Sequence, residues 1–153
     1  MTPIPELPKV RISRVFPAPI ATVFAAWGAA DSVQRWFPPT GCSASAVEIE
    51  IVVGGKFNLI MHAPGGMEHW IAGSFREITP NARLVIEMRV SDHGKRELFT
   101  AVTELNFSET AAGTQLDVVQ SYTLIDLASA PMLAGAPIGW SMTLDNLGKE
   151  FAS

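Results

Sequence analysis

His62, Glu68 and His69 are the residues whose types and spacing first suggest chemistry: two imidazoles and a carboxylate around one Pro-Gly-Gly turn. If the rings faced each other across a hairpin, they and Glu68 would offer nitrogen and oxygen donors suited to zinc. The spacing argues against it. There is no HxxH, HxxE or CxxC pattern, and the single cysteine, Cys42, is remote. No metal and no other cofactor is expected. His69 reads better as a polar group at a cavity mouth, with a plain surface histidine as the alternative. His93, in Asp92-His93-Gly94, reads as a surface loop residue. A nucleophile is not indicated either. No G-x-S-x-G elbow is present, and nothing basic adjoins Cys42 as a reactive thiolate would need. Gly54-Gly55 has no helix after it, so it is not a phosphate loop. No catalytic residue is assigned.

What remains is a set of large apolar side chains with a few polar ones among them. Trp36, Phe37, Met61, Trp70, Met88, Phe99, Tyr122, Trp140 and Met142 could form a pocket wall, since Met and Trp suit adaptable apolar surfaces. The alternative is plain core, where burial of each contributes ~1.5–3 kcal/mol. Glu104 shares strand parity with Leu98, Thr100 and Val102, opposite Phe99, Ala101, Leu105 and Phe107; Gln120 shares parity with Leu116, Val118 and Tyr122. One face of each strand must line the concave side, and an acid there would be costly unless paired. Arg76 and Arg89 are the expected partners for Glu104, with a solvated outer face as the alternative for both Glu104 and Gln120. The ligand-binding candidates are therefore Trp36, Phe37, Met61, His69, Met88, Phe99, Glu104, Gln120, Tyr122 and Trp140.

The elements that must position them follow from periodicity. Val10 to Phe16 alternates as a strand, with Arg14 interrupting its apolar face in the manner of an edge or end position. Ile20, Val23, Phe24 and Trp27 then fall at helical spacing after Pro19, a residue suited to a first helical turn. A second short helix should start at Asp31 or Ser32, carry Val33, Trp36 and Phe37, and stop at Pro38-Pro39. Six alternating segments follow: Val47 to Ile51, Phe57 to Met61, His69 to Ile78, Leu84 to Val90, Leu98 to Phe107 and Leu116 to Tyr122. Turns at Gly54-Gly55, Pro64-Gly65-Gly66, Thr79-Pro80-Asn81 and Ala111-Ala112-Gly113 separate them, with a polar loop at Ser91 to Lys95. A linker with Pro131, Gly135 and Pro137 leads to a terminal helix whose Trp140, Leu144, Leu147 and Phe151 make one apolar stripe. The order implies an α+β fold: a curved antiparallel sheet of six or seven strands around a long C-terminal helix, with two short helices after the first strand. The wide end of such a sheet is hard to fill with side chains, which leaves room for a small ligand.

With 153 residues the chain fits a single domain over 10–153 behind a Pro-containing lead-in, 1–9. Apolar residues at 48% and charged ones at 17% mark a globular chain. The net charge of −4, with scattered Lys and Arg, disfavours nucleic acid as a partner. One cysteine excludes an internal disulfide and suits a reducing compartment. No signal peptide and no apolar run long enough to span a membrane is visible, so a cytoplasmic location is expected.

Several fragments fall in an order that resembles a known family. They are Val15-Phe16-Pro17-Ala18-Pro19, Val23-Phe24-Ala25-Ala26-Trp27, Arg35-Trp36-Phe37-Pro38-Pro39, Val53-Gly54-Gly55-Lys56-Phe57 and Gly73-Ser74-Phe75-Arg76-Glu77-Ile78-Thr79-Pro80. Arg83-Leu84, Gly113-Thr114, and Gly139-Trp140 with Leu144 and Leu147 complete the series. Together they resemble the SRPBCC, or START-like, helix-grip superfamily, and within it the family related to the C-terminal domain of the activator of heat shock protein 90 ATPase. The resemblance implies the helix-grip fold and strengthens Trp36 and Trp140 as cavity residues. It says little about function, since the family spans ligand binders, cyclase-like enzymes and stress-related proteins. One departure stands out: where the family carries an acid, one residue and an arginine before the double glycine, this chain has Glu50-Ile51-Val52.

Three functions are open on this basis. The first is binding of a small hydrophobic or amphipathic molecule between sheet and C-terminal helix. The second is a cyclase- or hydrolase-like enzyme using His69, Glu104 or Tyr122 inside that cavity, which requires the three to converge. The third is a protein-interaction module, either a homodimer or a partner of a chaperone ATPase, the latter disfavoured because no added N-terminal module accompanies the domain.

Overall fold

The computed structural model describes residues 9–151, so all of the 1–9 lead-in except Lys9 lies outside the described residues. Seven strands form one antiparallel sheet in the order β1-β7-β6-β5-β4-β3-β2. They are β1 (Val10–Phe16), β2 (Ser43–Ile49), β3 (Lys56–Ala63), β4 (Met67–Thr79), β5 (Arg83–Asp92), β6 (Arg96–Thr110) and β7 (Gly113–Leu124). From β2 to β7 each strand pairs with its successor, while β1 pairs with β7, Val10 opposite Gln120 and Phe16 opposite Thr114. Ladder irregularities at Ser45/Glu48, Phe75/Glu77 and Val90/Ser91 supply the extra residues that bend strands and strengthen twist.

The helices are α1 (Ile20–Ala25), α2 (Ala30–Trp36), α3 (Ala130–Ala134) and α4 (Ala136–Lys149). This is the helix-grip arrangement, and every turn expected from the sequence lies where it was placed. Some boundaries differ. The second helix is capped by Ala29 with no side-chain hydrogen bond, and Asp31 sits inside its first turn, where a carboxylate favours the helix dipole. The segment 125–138, expected as a linker, instead holds a 3-10 turn (Leu127–Ser129), α3 and the start of α4. Pro131 and Pro137 each occupy the first turn of a helix, the one place where a missing N–H costs nothing.

The inner face of the sheet carries Phe57, Leu59, Phe75, Leu84, Ile86, Leu105, Leu116 and Val118, all buried. Against it α4 turns Trp140, Leu144 and Leu147 inward, and Phe151 meets Phe16 edge-on at 5.7 Å between ring centroids. Arg14, the charge that interrupts β1, reaches across to α4: it donates to Asp145 and, at 2.9 Å, to Ser141 Oγ. Two glycines answer to close approach. Gly113 has φ +138°, and a Cβ there would lie 2.1 Å from the Phe16 carbonyl oxygen. At Gly73 a Cβ would lie 2.8 Å from the Phe57 carbonyl oxygen and 2.9 Å from that of Glu87.

Candidate functional site

Between the inner face and the helices at one end lies a cavity of about 180 Å³. The sheet supplies Met61, Ile71, Met88, Val90, Phe99, Ala101, Gln120 and Tyr122. The helical side supplies Met132 and Leu133 from α3 and Ala136, Gly139, Trp140 and Thr143 from α4, and Phe37 and Pro39 close the edge after α2. Alternation explains the strand contributions: Met88 and Val90, Phe99 and Ala101, and Gln120 and Tyr122 are i, i+2 neighbours on one face. Gly139 leaves α4 free of a side chain there; a Cβ would meet only Pro39, at 3.9 Å.

The cavity wall contains no carboxylate, ammonium, guanidinium or imidazole. Its polar groups are organised around Gln120, which is 7% exposed. Trp140 Nε1 donates to Gln120 Oε1 at 2.8 Å, and the Tyr122 hydroxyl donates to the same oxygen. Gln120 Nε2 in turn donates to Thr103 Oγ1 at 2.8 Å. Thr143 Oγ1 is used elsewhere, donating to the Phe37 carbonyl at 2.8 Å. Burial pushes the Tyr122 phenol well above its ordinary pKa, so it stays protonated. Tyr122 also meets Phe99 edge-on at 5.7 Å, and Trp140 stacks near Trp27 at 6.5 Å.

Of the ten candidate residues, Phe37, Met61, Met88, Phe99, Gln120, Tyr122 and Trp140 come together in this wall. Trp36 stands one ring behind it. It is 1% exposed, edge-on to Trp27 at 4.5 Å and to Phe37 at 5.7 Å, and its Nε1 donates to Ala26 O and Ser32 Oγ. Adjacent residues at a helix end point about 100° apart, so only one of the two rings can reach the cavity. His69 shares the parity of the wall residue Ile71 but lies further toward the strand end, paired with Met61 and Asp92, and does not line the cavity. Its burial holds its pKa below the usual value, against the opposing pull of Asp92.

Glu104 points away from the cavity. It accepts from Arg83 Nη2 at 3.0 Å on the outer face, and the expected partners pair elsewhere, Arg76 with Glu87 at 2.5 Å and Arg89 with Glu97 at 2.6 Å. Leu105 and Thr103, its neighbours in sequence, are the buried ones. His69, Glu104 and Tyr122 therefore do not converge. His62 and His69 do not face each other either, because the register sets His62 opposite Glu68 and His69 opposite Met61, on opposite faces of the sheet. Among the described residues no group of three His, Cys, Asp or Glu side chains has metal-holding geometry.

Two outer-face features fall outside the candidate list. Ser45 Oγ lies 2.7 Å from His62 Nε2, and His62 Nδ1 lies 3.9 Å from Glu68 Oε1, beyond hydrogen-bond length. Trp70 and Met142, expected on the pocket wall, do not line the cavity: a separate groove of about 370 Å³ runs beside Trp70, Ile60 and Ala46, with Glu48, Arg89 and Glu97 in its wall and no helical residue. The wall residues that sequence reasoning missed are chiefly Met132 and Leu133 in α3. Their signal was present in Pro131 and Pro137, which open helices as readily as they end them.

Comparison with known proteins places this geometry in a family. Protein CV1439 from Chromobacterium violaceum superposes with a TM-score of 0.81 at 26% identity, over 94% of this chain and 96% of that one. Protein Ms6760 from Mycobacterium smegmatis gives 0.79 at 15% identity, over 99% and 98%. Protein NE0264 from Nitrosomonas europaea gives 0.73 at 22% identity, over 92% of each. None of these names states an activity, and no curated protein matches the chain. Among the described residues no helix is long and apolar enough to cross a membrane. The profile of the Activator of Hsp90 ATPase homolog 1-like proteins matches residues 17–152, from the proline after β1 to beyond the last described residue, and the chain belongs to that family.

Proposed function

We propose that this protein binds a small hydrophobic or amphipathic molecule in the cavity between the sheet and α4. The observation that carries the reading is the cavity itself: about 180 Å³ with almost wholly apolar walls and a single hydrogen-bonded polar group of Gln120, Tyr122 and Trp140. Ligand sites in proteins are concave and mostly apolar, with a few placed polar groups that fix orientation. The engineered cavity of about 150 Å³ that takes up benzene sets the scale for what fits. An enzymatic reading has less support, since the residues that would act as acid and base lie on different faces. Native mass spectrometry of freshly purified protein, followed by extraction, tests the proposal. A discrete non-covalent adduct released by organic solvent is expected. A clean apo mass, together with no heat signal from any small aromatic titrated into the protein, would defeat it and turn attention to the protein's surface.

A further inference from the structure

Resting on that reading, we propose that the cavity selects a neutral molecule bearing one hydrogen-bond donor, which it presents to the Tyr122 hydroxyl oxygen. The polarity follows from a chain of forced orientations. An indole N–H can only donate. Trp140 Nε1 lies 2.8 Å from the Gln120 side chain, so the amide must turn its oxygen, not its nitrogen, toward Trp140. The opposite orientation would set N–H against N–H at Trp140, whereas the Thr103 hydroxyl, 2.8 Å from the other end of the amide, can donate or accept and serves either orientation. With Oε1 so placed, the Tyr122 hydroxyl that meets it must be the donor. Its proton is committed. Its oxygen keeps acceptor capacity and receives no hydrogen bond from any described residue.

Tyr122 is therefore an acceptor on the cavity wall, held there by its bond to Gln120 and its edge-on contact with Phe99. Thr143 does not compete, because its hydroxyl proton goes to the Phe37 carbonyl. Charge is selected against by the same wall. An anion inside would have no cationic partner, and a buried unpaired charge costs far more than a buried hydroxyl. Size points the same way: about 180 Å³ suits a single substituted aromatic ring or a compact aliphatic alcohol of similar bulk.

Toluene, p-cresol and p-toluate differ only in the group that would meet Tyr122. Each is titrated calorimetrically at pH 7 into the wild-type protein and into Tyr122→Phe, a change that leaves Gln120 Oε1 its bond from Trp140. The preference for p-cresol over toluene should be greater in the wild type than in the variant by roughly two- to ten-fold, the span of one net hydrogen bond. Binding of p-toluate should be at least about ten-fold weaker than that of p-cresol. An unchanged preference in Tyr122→Phe, or p-toluate binding as tightly as p-cresol, overturns the donor rule; if toluene still binds, the cavity reading survives. Failure of all three to bind the wild type removes both.

Discussion

Replacing Trp140 by alanine should cost about 4 kcal/mol, and the figure can be worked from its surroundings. The side chain is 7% exposed, stacks near Trp27 at 6.5 Å and meets Phe37 edge-on at 6.2 Å. Large aromatic-to-alanine changes in a core cost roughly 3–5 kcal/mol through lost transfer energy and the void left behind. One side of the indole already borders the cavity, so fewer contacts are lost there than in a fully enclosed site, which points to about 3 kcal/mol for packing. The bond from Nε1 to Gln120 adds about 1 kcal/mol, without a further desolvation penalty because Oε1 keeps its bond from Tyr122. Trp140→Phe separates these parts: it retains most of the apolar area and loses chiefly the hydrogen bond, for about 1–2 kcal/mol. Urea unfolding reads both. With a slope near 2 kcal/mol/M, the midpoint should fall by about 2 M for alanine and by under about 1 M for phenylalanine. An alanine variant within about 0.5 M of wild type would mean that Trp140 does not pack as described, and the cavity geometry built on it would fail with it.

Gly113→Ala should destabilise by more than about 2 kcal/mol, because it adds a φ of +138° unsuited to alanine to a Cβ driven onto the Phe16 carbonyl; a urea midpoint unchanged from wild type would refute that account. Glu104→Gln should cost under about 1 kcal/mol and leave ligand affinity intact, since Arg83 keeps Glu77 and Asn106; an affinity loss beyond about two-fold would put Glu104 at the cavity after all. Burial lowers the His69 pKa, so below its ordinary value of 6.5 the unfolded chain binds the proton more readily than the folded one. Stability should therefore drop as pH falls from about 7 through the folded pKa. His93, raised by its bond to Asp92, pulls the other way but is present in both proteins when His69→Asn is compared with wild type. The variant should lose less Tm than wild type between pH 7.5 and 5; parallel losses would exclude His69 as the cause.

The strands and the stripe on α4 were legible because each buries one face, and a period of two or 3.6 then writes itself into residue choice. Which face of β6 and β7 points inward was not. Parity pairs Glu104 with Val102 and Gln120 with Val118, and either set could have been buried; the choice is made by the helices that land on the sheet. Gln120 went inside because Trp140, Tyr122 and Thr103 satisfy it there, and Glu104 went outside to Arg83. Trp36 and Phe37 show a finer limit. Both are buried aromatics, yet the roll of one short helix decides which ring borders empty space. The segment 125–138 misled because proline and glycine punctuate helices and loops alike, and α3, which supplies Met132 and Leu133 to the wall, was hidden among them.

The pairing of β1 with β7 carries a consequence for how the chain folds. From β2 onward each strand can zip onto its predecessor through a short turn, a sequence of local closures that need little search. The first strand has no such neighbour. Its contacts, such as Ser13 with Asp117, join residues 104 positions apart, and Arg14 must await α4, which follows every strand of the sheet. Closing so long a loop carries an entropic cost that is recovered only when both edges are in place. The first strand of the sheet in chain order is thus among the last to dock, and a substitution such as Ile12→Val should chiefly speed unfolding while barely slowing folding.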